Sequence, residues 1–142
     1  MAVRFKLNLE DISLINIFEK VTGARVEDCI VNNDKNKILF VVKEGQAGIA
    51  IGRGGINIKK LEGMFKKKVE VLEFSSDYSK FLSHIFNPIN LSNVYTSEKS
   101  DGTKVVHITI SKGGNVGLIK SKMKMAKDLL SKYFEINEIV FQ

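Results

Sequence analysis

The sequence predicts an α+β fold built from one unit, of order αββααβ, written twice. Two observations carry this prediction. Each half runs from an amphipathic helical stretch into two β-rich stretches, a further helical region and a closing β-rich stretch, and in each half a polar turn falls at the same point, residues 32–36 and residues 97–102. In the first half, Asn8 is placed to cap a helix that turns Ile12, Ile15, Phe18 and Val21 toward a core and ends at Gly23. Strands over 25–31 and 37–43 follow, rich in Val, Ile and Phe, with Asn32-Asn33-Asp34-Lys35-Asn36 as the turn between them. Then come a short helix over 45–50, a glycine-rich loop, a helix over 56–65 and a strand over 68–74.

The second half repeats the order. A helix over 78–86, capped by Ser76 or Asp77, ends before Asn87-Pro88, because proline lacks an N–H and pushes its predecessor out of the helical region. Strands over 89–96 and 104–110 flank the Asp101-Gly102 turn. A helical turn over 115–119, a longer helix over 122–134 and a strand over 136–141 complete it. On the longer helix Ala126, Leu129, Leu130 and Tyr133 share one face, with Lys120, Lys124 and Lys127 along another side. The domains are expected at 1–75 and 76–142. The junction Phe74-Ser75-Ser76-Asp77-Tyr78 is too short for a flexible tether, so the two units are expected to pack as a rigid pair.

Composition narrows the function. With 44% apolar residues in 142, the chain can bury one good core or two small ones. No apolar run reaches the roughly 18 residues of a membrane span, and the amino terminus lacks a long apolar stretch leading to a cleavage site, so a cytoplasmic protein without membrane contact is expected. The lone Cys29 rules out an intrachain disulfide and a cysteine zinc cluster, and suits a small buried apolar position. His84 and His107 have no motif company. No nucleophile elbow, HExxH or nucleotide-triphosphate motif is present, so neither catalysis nor a cofactor is expected. The net charge of +6 favours an anionic partner, and it is shared: 13 Lys and Arg against 10 Asp and Glu up to Phe74, and 9 against 6 beyond it, give +3 to each half.

The chemistry concentrates in Ile51-Gly52-Arg53-Gly54-Gly55-Ile56-Asn57-Ile58. A Walker loop needs Lys and then Ser or Thr after its last glycine, where this chain has Ile56. The dinucleotide fingerprint fails at Asn57, where its last glycine belongs. What remains is a GXXG loop between two short helices, either a turn that serves geometry alone or the element that clamps the backbone of single-stranded RNA. Gly52, Gly54 and Gly55 let backbone amides approach a phosphate, Arg53 supplies a cationic tip, and Asn57, Lys59 and Lys60 at the head of the next helix are candidates for phosphate, sugar or base edges. Ile49, Ile51 and Ile58 suit either an adjoining groove or the core. No aromatic residue is close in sequence, so base stacking is expected to be minor at this loop. In the second half, ungapped alignment puts Ser121-Lys122-Met123-Lys124 where the first has Gly52-Arg53-Gly54-Gly55. That loop has lost its glycines, leaving Lys120, Lys122 and Lys124 as secondary RNA candidates acting through charge. An alternative register uses Gly114 and Gly117 but leaves too little strand and helix before the loop.

Beyond this loop, Phe18-Glu19-Lys20-Val21-Thr22-Gly23-Ala24-Arg25-Val26, the run from Val41 to Gly55, Lys67-Lys68-Val69-Glu70-Val71, Ile85-Phe86-Asn87-Pro88 and Lys132-Tyr133-Phe134-Glu135-Ile136 together make nearly the whole chain resemble the archaeal NusA-type family, a tandem of two type II KH domains. The resemblance implies a cytoplasmic RNA-binding factor of transcription elongation, pausing or termination, with single-stranded RNA as partner and RNA polymerase or a transcription complex as a further candidate; separately, a monomer is expected. Bacterial proteins of this type add a polymerase-binding domain and an S1 domain; the 142 residues leave no length for them, so polymerase contact is expected through the KH pair or a separate partner. Two alternatives stand beside it: a ribosome-linked or RNA-processing KH adaptor, and a protein-interaction module with weak RNA affinity.

Overall fold

The computed structural model describes residues 9–110 and 116–142. The chain divides into two compact units, with the boundary between Ser76 and Asp77. Each contains one three-stranded sheet, which makes the chain α+β as its sequence predicts.

The first unit runs α1 (Leu9–Thr22), β1 (Val26–Asn32), β2 (Lys37–Val42), α2 (Ala47–Ile51), a 3-10 turn (Arg53–Gly55), α3 (Ile56–Phe65) and β3 (Lys68–Glu73). The sheet order is β1-β2-β3, with β1 and β2 antiparallel and β3 parallel to β2. The parallel step forces a crossover, and α2, the turn and α3 are that crossover. Ile38, Phe40 and Val42 alternate inward along β2 and meet Phe18 of α1, whose ring stacks on Phe40 at 4.1 Å. Ala24, Cys29, Ala50, Leu61 and Val69 complete this core. Each fully buried Phe contributes on the order of 1.5–3 kcal/mol. α1 stops where expected: the Gly23 N–H reaches Glu19 O at 2.8 Å with φ of 78°, while Thr22 Oγ1 donates to Phe18 O and accepts from Ala24 N–H. Asn8 lies outside the described residues, and Ile12 is exposed rather than core-facing, because the helix packs on the core only from Leu14 onward.

The second unit runs α4 (Tyr78–Phe86), β4 (Leu91–Glu98), β5 (Lys104–Ile110), α5 (Val116–Phe134) and β6 (Glu138–Phe141). Its sheet, β4-β5-β6, repeats the topology of the first, antiparallel and then parallel. Asp77 is the helix cap, its Oδ1 accepting from Ser79 N–H at 2.9 Å, and α4 buries Phe81, Leu82, Ile85 and Phe86. The crossover differs from expectation. α5 is one unbroken helix of 19 residues, so Ser121, Lys122, Met123 and Lys124 lie inside it and form no loop. Nothing in Ser-Lys-Met-Lys requires a positive φ, and Ile119, Ala126, Leu129 and Leu130 are all buried along the same helix, so the apolar period runs straight through the expected break. The unit is therefore αββαβ over its described residues. Of the alternative register, Gly117 lies within α5 and Gly114 outside the described residues.

Candidate nucleic-acid interface

The helix that leads into the glycine loop is tied to the sheet at its start. Gln46 Oε1 accepts from Arg25 N–H at 2.6 Å and Glu73 Oε1 accepts from Ala47 N–H at 3.2 Å, which ties the start of α2 to the ends of β1 and β3, while Ala50 is fully buried beneath it. α2 closes with Gly52 N–H on Gly48 O at 3.0 Å. Gly52 then adopts φ 77° and ψ 166°, a combination essentially restricted to glycine. Gly54 (φ 64°, ψ 17°) and Gly55 (φ 76°, ψ 20°) are both left-handed, and Gly55 N–H returns to Gly52 O at 3.0 Å. These three positive-φ residues reverse the chain into α3. Gly55 is the N-cap and brings no side chain to satisfy the first amides of α3, so the positive end of that helix opens at the loop.

The three glycines differ in surroundings. A Cβ on Gly52 would lie 2.8 Å from Asn57 Nδ2 and 3.0 Å from Ile56 Cγ2, whereas nothing lies within 4 Å of the same position on Gly54 or Gly55. Gly52 thus belongs to the packing of the turn, and Gly54 and Gly55 to its open side. Arg53, Lys59 and Lys60 are exposed beside them. Asn57 is half-buried, and its Nδ2 donates to Ile49 O at 3.0 Å. Its amide therefore straps α3 to α2 across the loop, a positioning task that the sequence did not reveal. Among the apolar neighbours, Ile49 and Ile51 are exposed and Ile58 packs on the core. Ile56, which sequence reasoning did not select, is 62% exposed at the first turn of α3. Its signal was its place directly after the last glycine, where a helix has not yet reached the core.

The secondary lysines separate into two kinds. Lys120 and Lys124 are exposed on α5, together with Lys127. Lys122 is engaged instead: its Nζ donates to Ile85 O and to Asn87 O, each at 2.9 Å. It neutralises the negative end of α4, where Asn87 has left helical geometry and the last carbonyls lack helical partners. The expectation that Lys122 is a mobile charge is corrected by this contact. Part of the 66–68 lysine run is also occupied, since Lys67 Nζ donates to Asn33 Oδ1 at 3.1 Å.

Among the described residues, no three His, Cys, Asp or Glu side chains are grouped to hold a metal ion, and no helix is long and apolar enough to cross a membrane.

Comparison with known proteins places this geometry. The KH domain model matches residues 15–113. A protein of Methanococcus vannielii named probable transcription termination protein NusA is 45% identical over 108 residues, covering 76% of this chain and 61% of that protein, so the chain spans less than two thirds of that relative. One of the same name from Halobacterium salinarum is 30% identical over 137 residues, covering 94% of this chain and 96% of that protein. The crystal structure of APE1850 superposes with a TM-score of 0.80 at 35% identity, covering 95% of this chain and 99% of that one. With the family model spanning well over half its length, and a NusA relative matched almost end to end, the chain belongs to the KH-domain family, in its archaeal NusA-type group.

Proposed function

We propose that the chain is a single-stranded RNA-binding factor in which a first KH domain, set at residues 1–75, grips the RNA backbone through its GXXG loop. A second KH domain, set at residues 76–142, adds charge without a clamp of its own. One observation carries the reading: Gly54 and Gly55 are left-handed, with nothing within 4 Å of where a Cβ would stand, at the positive end of α3, which no side chain caps. A phosphate placed there meets backbone amides and the helix dipole at close range. Arg53, Lys59 and Lys60 supply the surrounding positive charge, and exposed Ile49, Ile51 and Ile56 offer an apolar surface to the bases. Asn57 contributes by holding the loop's shape. Lys120 and Lys124 on α5 add salt-sensitive attraction.

This function is binding rather than catalysis, in the cytoplasm, with RNA polymerase or a transcription complex as the second partner. The names of the NusA relatives support a role in transcription termination, and elongation or pausing is part of the same proposal.

The test is single-stranded RNA binding by the native chain and by Gly54→Asp over a salt series. Asp is among the residues that tolerate left-handed geometry and its Cβ would meet nothing within 4 Å, so the variant is expected to keep the fold, which amide spectra check, and to set a carboxylate near the proposed phosphate position. The native chain is expected to show a log-log salt slope of about −0.7 per phosphate contacted, and the variant to lose most of its affinity. Equal affinity in the two overturns the loop's role. Added to a reconstituted archaeal transcription assay, the native chain is expected to change pausing or termination where Gly54→Asp does not.

A further inference from the structure

The second unit's sheet has a face turned away from its helices, and this face carries an aromatic pair. Along β5, Val106 and Ile108 are fully buried, so the intervening His107 projects to the other side. The register sets Tyr95 of β4 and Val140 of β6 directly beside it, making a row Tyr95, His107, Val140 across all three strands. The Tyr95 and His107 rings are stacked, with centroids 4.6 Å apart and 7° between planes. Tyr95 and Val140 are each 40% exposed, and Tyr95 is the one aromatic among the exposed large hydrophobic side chains of the described residues.

We infer that this face is a stacking site for an unpaired nucleobase of RNA. His107 covers one side of the Tyr95 ring, and β4 is an edge strand, so the other side of the ring is turned toward the open edge of the sheet. A base laid there continues the stack. The rings are held before any ligand arrives. Gln142 Nε2 lies 3.2 Å from Tyr95 Oη and 3.3 Å from His107 Nδ1, and Ser97 Oγ lies 2.7 Å from His107 Nε2. Both ring nitrogens of His107 therefore have a side-chain partner. Little side-chain freedom is left to lose on binding.

The surroundings favour a base over a protein surface. Asn93 and Thr109 form the next cross-strand pair along this face, giving neutral donors and acceptors suited to base edges. The carboxylate of Glu138 on the same face is neutralised by Lys99 at 2.7 Å, and the half-chain nets +3, so a polyanion meets no uncompensated negative charge in this row. Two half-exposed apolar side chains fall far short of a stable protein interface, which takes about 800 Å² from each partner.

The inference rests on the proposed RNA-binding function, and the experiment separates the two. Affinity is measured for a short mixed-sequence single-stranded oligoribonucleotide and for an abasic oligomer of the same backbone. The full chain is compared with Tyr95→Leu, Tyr95→Phe, Gly54→Asp and the Tyr95→Leu, Gly54→Asp double variant, with folding checked by amide spectra. Tyr95→Leu keeps bulk and loses the flat ring. It is expected to weaken binding of the base-bearing oligomer by about tenfold to a hundredfold and leave the abasic one unchanged, while Tyr95→Phe binds as the native chain does. Native affinity in Tyr95→Leu, an equal loss for both oligomers, or a loss in Tyr95→Phe matching that in Tyr95→Leu each overturns the stacking site. Weakening by Tyr95→Leu with a neutral Gly54→Asp keeps the site and removes the loop's role; a native chain that binds neither oligomer overturns both.

Discussion

Replacing Gly52 by alanine tests whether the loop's geometry is set by backbone sterics. At φ 77° and ψ 166° an L-residue is strained by roughly 1–3 kcal/mol. The new methyl group would sit 2.8 Å from Asn57 Nδ2 and 2.9 Å from Asn57 Cγ, forcing that side chain away from Ile49 O. Losing this hydrogen bond costs a further 0.5–1.5 kcal/mol or so. The unfolded chain becomes stiffer with alanine, which returns about 0.4–1 kcal/mol. The net loss is on the order of 1–3 kcal/mol, a large share of a small domain's stability. Gly54→Ala is the internal control. It lies in the ordinary left-handed well with nothing within 4 Å, so strain of about 1–2 kcal/mol is about half offset by the same unfolded-state gain. Because two units need not unfold together, the assay is native-state hydrogen exchange, read on the amides of β1, β2 and β3 with those of β4 and β5 as reference. Gly52→Ala is expected to lower protection in the first sheet alone, and by clearly more than Gly54→Ala. Equal protection in the two variants would refute the steric argument.

Lys122→Met removes an ammonium that serves two carbonyls at the end of α4, and is expected to destabilise the second unit by about 1–3 kcal/mol in the same exchange measurement. Exchanging Lys120 and Lys124 for Gln should leave stability unchanged and flatten the salt dependence of RNA binding. Cys29 is buried, and burial, with Asp11, Asp28 and Glu10 nearby, pushes its thiol from 9.0 up to about 12. Because its reactive form is the thiolate, alkylation at pH 8 should run roughly a thousandfold slower in the native chain than in the unfolded one. The raised value favours the neutral thiol in the folded state, so the stability it contributes is complete below pH 9 and falls away as the pH rises toward 12, a loss that Cys29→Ala should not show.

Features determined by local chemistry were legible in the sequence. Gly23 ends α1, Asp77 caps α4, and the Asn32–Asn36 and Asp101-Gly102 turns separate the strands where read, since each depends on one or two side chains or on a backbone conformation that few residues tolerate. The helix over 56–65 was also legible, because glycines begin it and its apolar residues are periodic. Features that depend on distant partners were not. Asn57 gave no sign that it would bond Ile49 O, nor Lys122 that it would reach carbonyls 35 and 37 residues away. Tyr95 and His107 are twelve positions apart in sequence and meet through strand register alone. The break expected in α5 came from carrying the first repeat's pattern onto the second, although Ile119, Ala126, Leu129 and Leu130 already spelled a continuous helix.

That continuous helix changes what the second crossover can do. In the first unit the chain between β2 and β3 is spent on a helix of 5 residues, a turn of 3 and a helix of 10. The turn starts α3 partway along the crossover with no side chain capping its first turn, which is the opening that the proposed phosphate clamp uses. In the second unit one helix of 19 residues, about 28 Å long at 1.5 Å per residue, covers the corresponding stretch. The amides of Ser121, Lys122, Met123 and Lys124 point along its axis to the preceding turn and are used within the helix. No side-chain substitution at these four positions restores a clamp while the helix persists, because what is absent is the left-handed break and not a particular functional group. Along α5 the proposed attraction to RNA is therefore left to exposed lysine side chains, whose pull on a polyanion is screened by salt. If the second unit contributes specificity, it must do so elsewhere, and the rigid aromatic pair on the far side of its sheet is the better-ordered surface for that task.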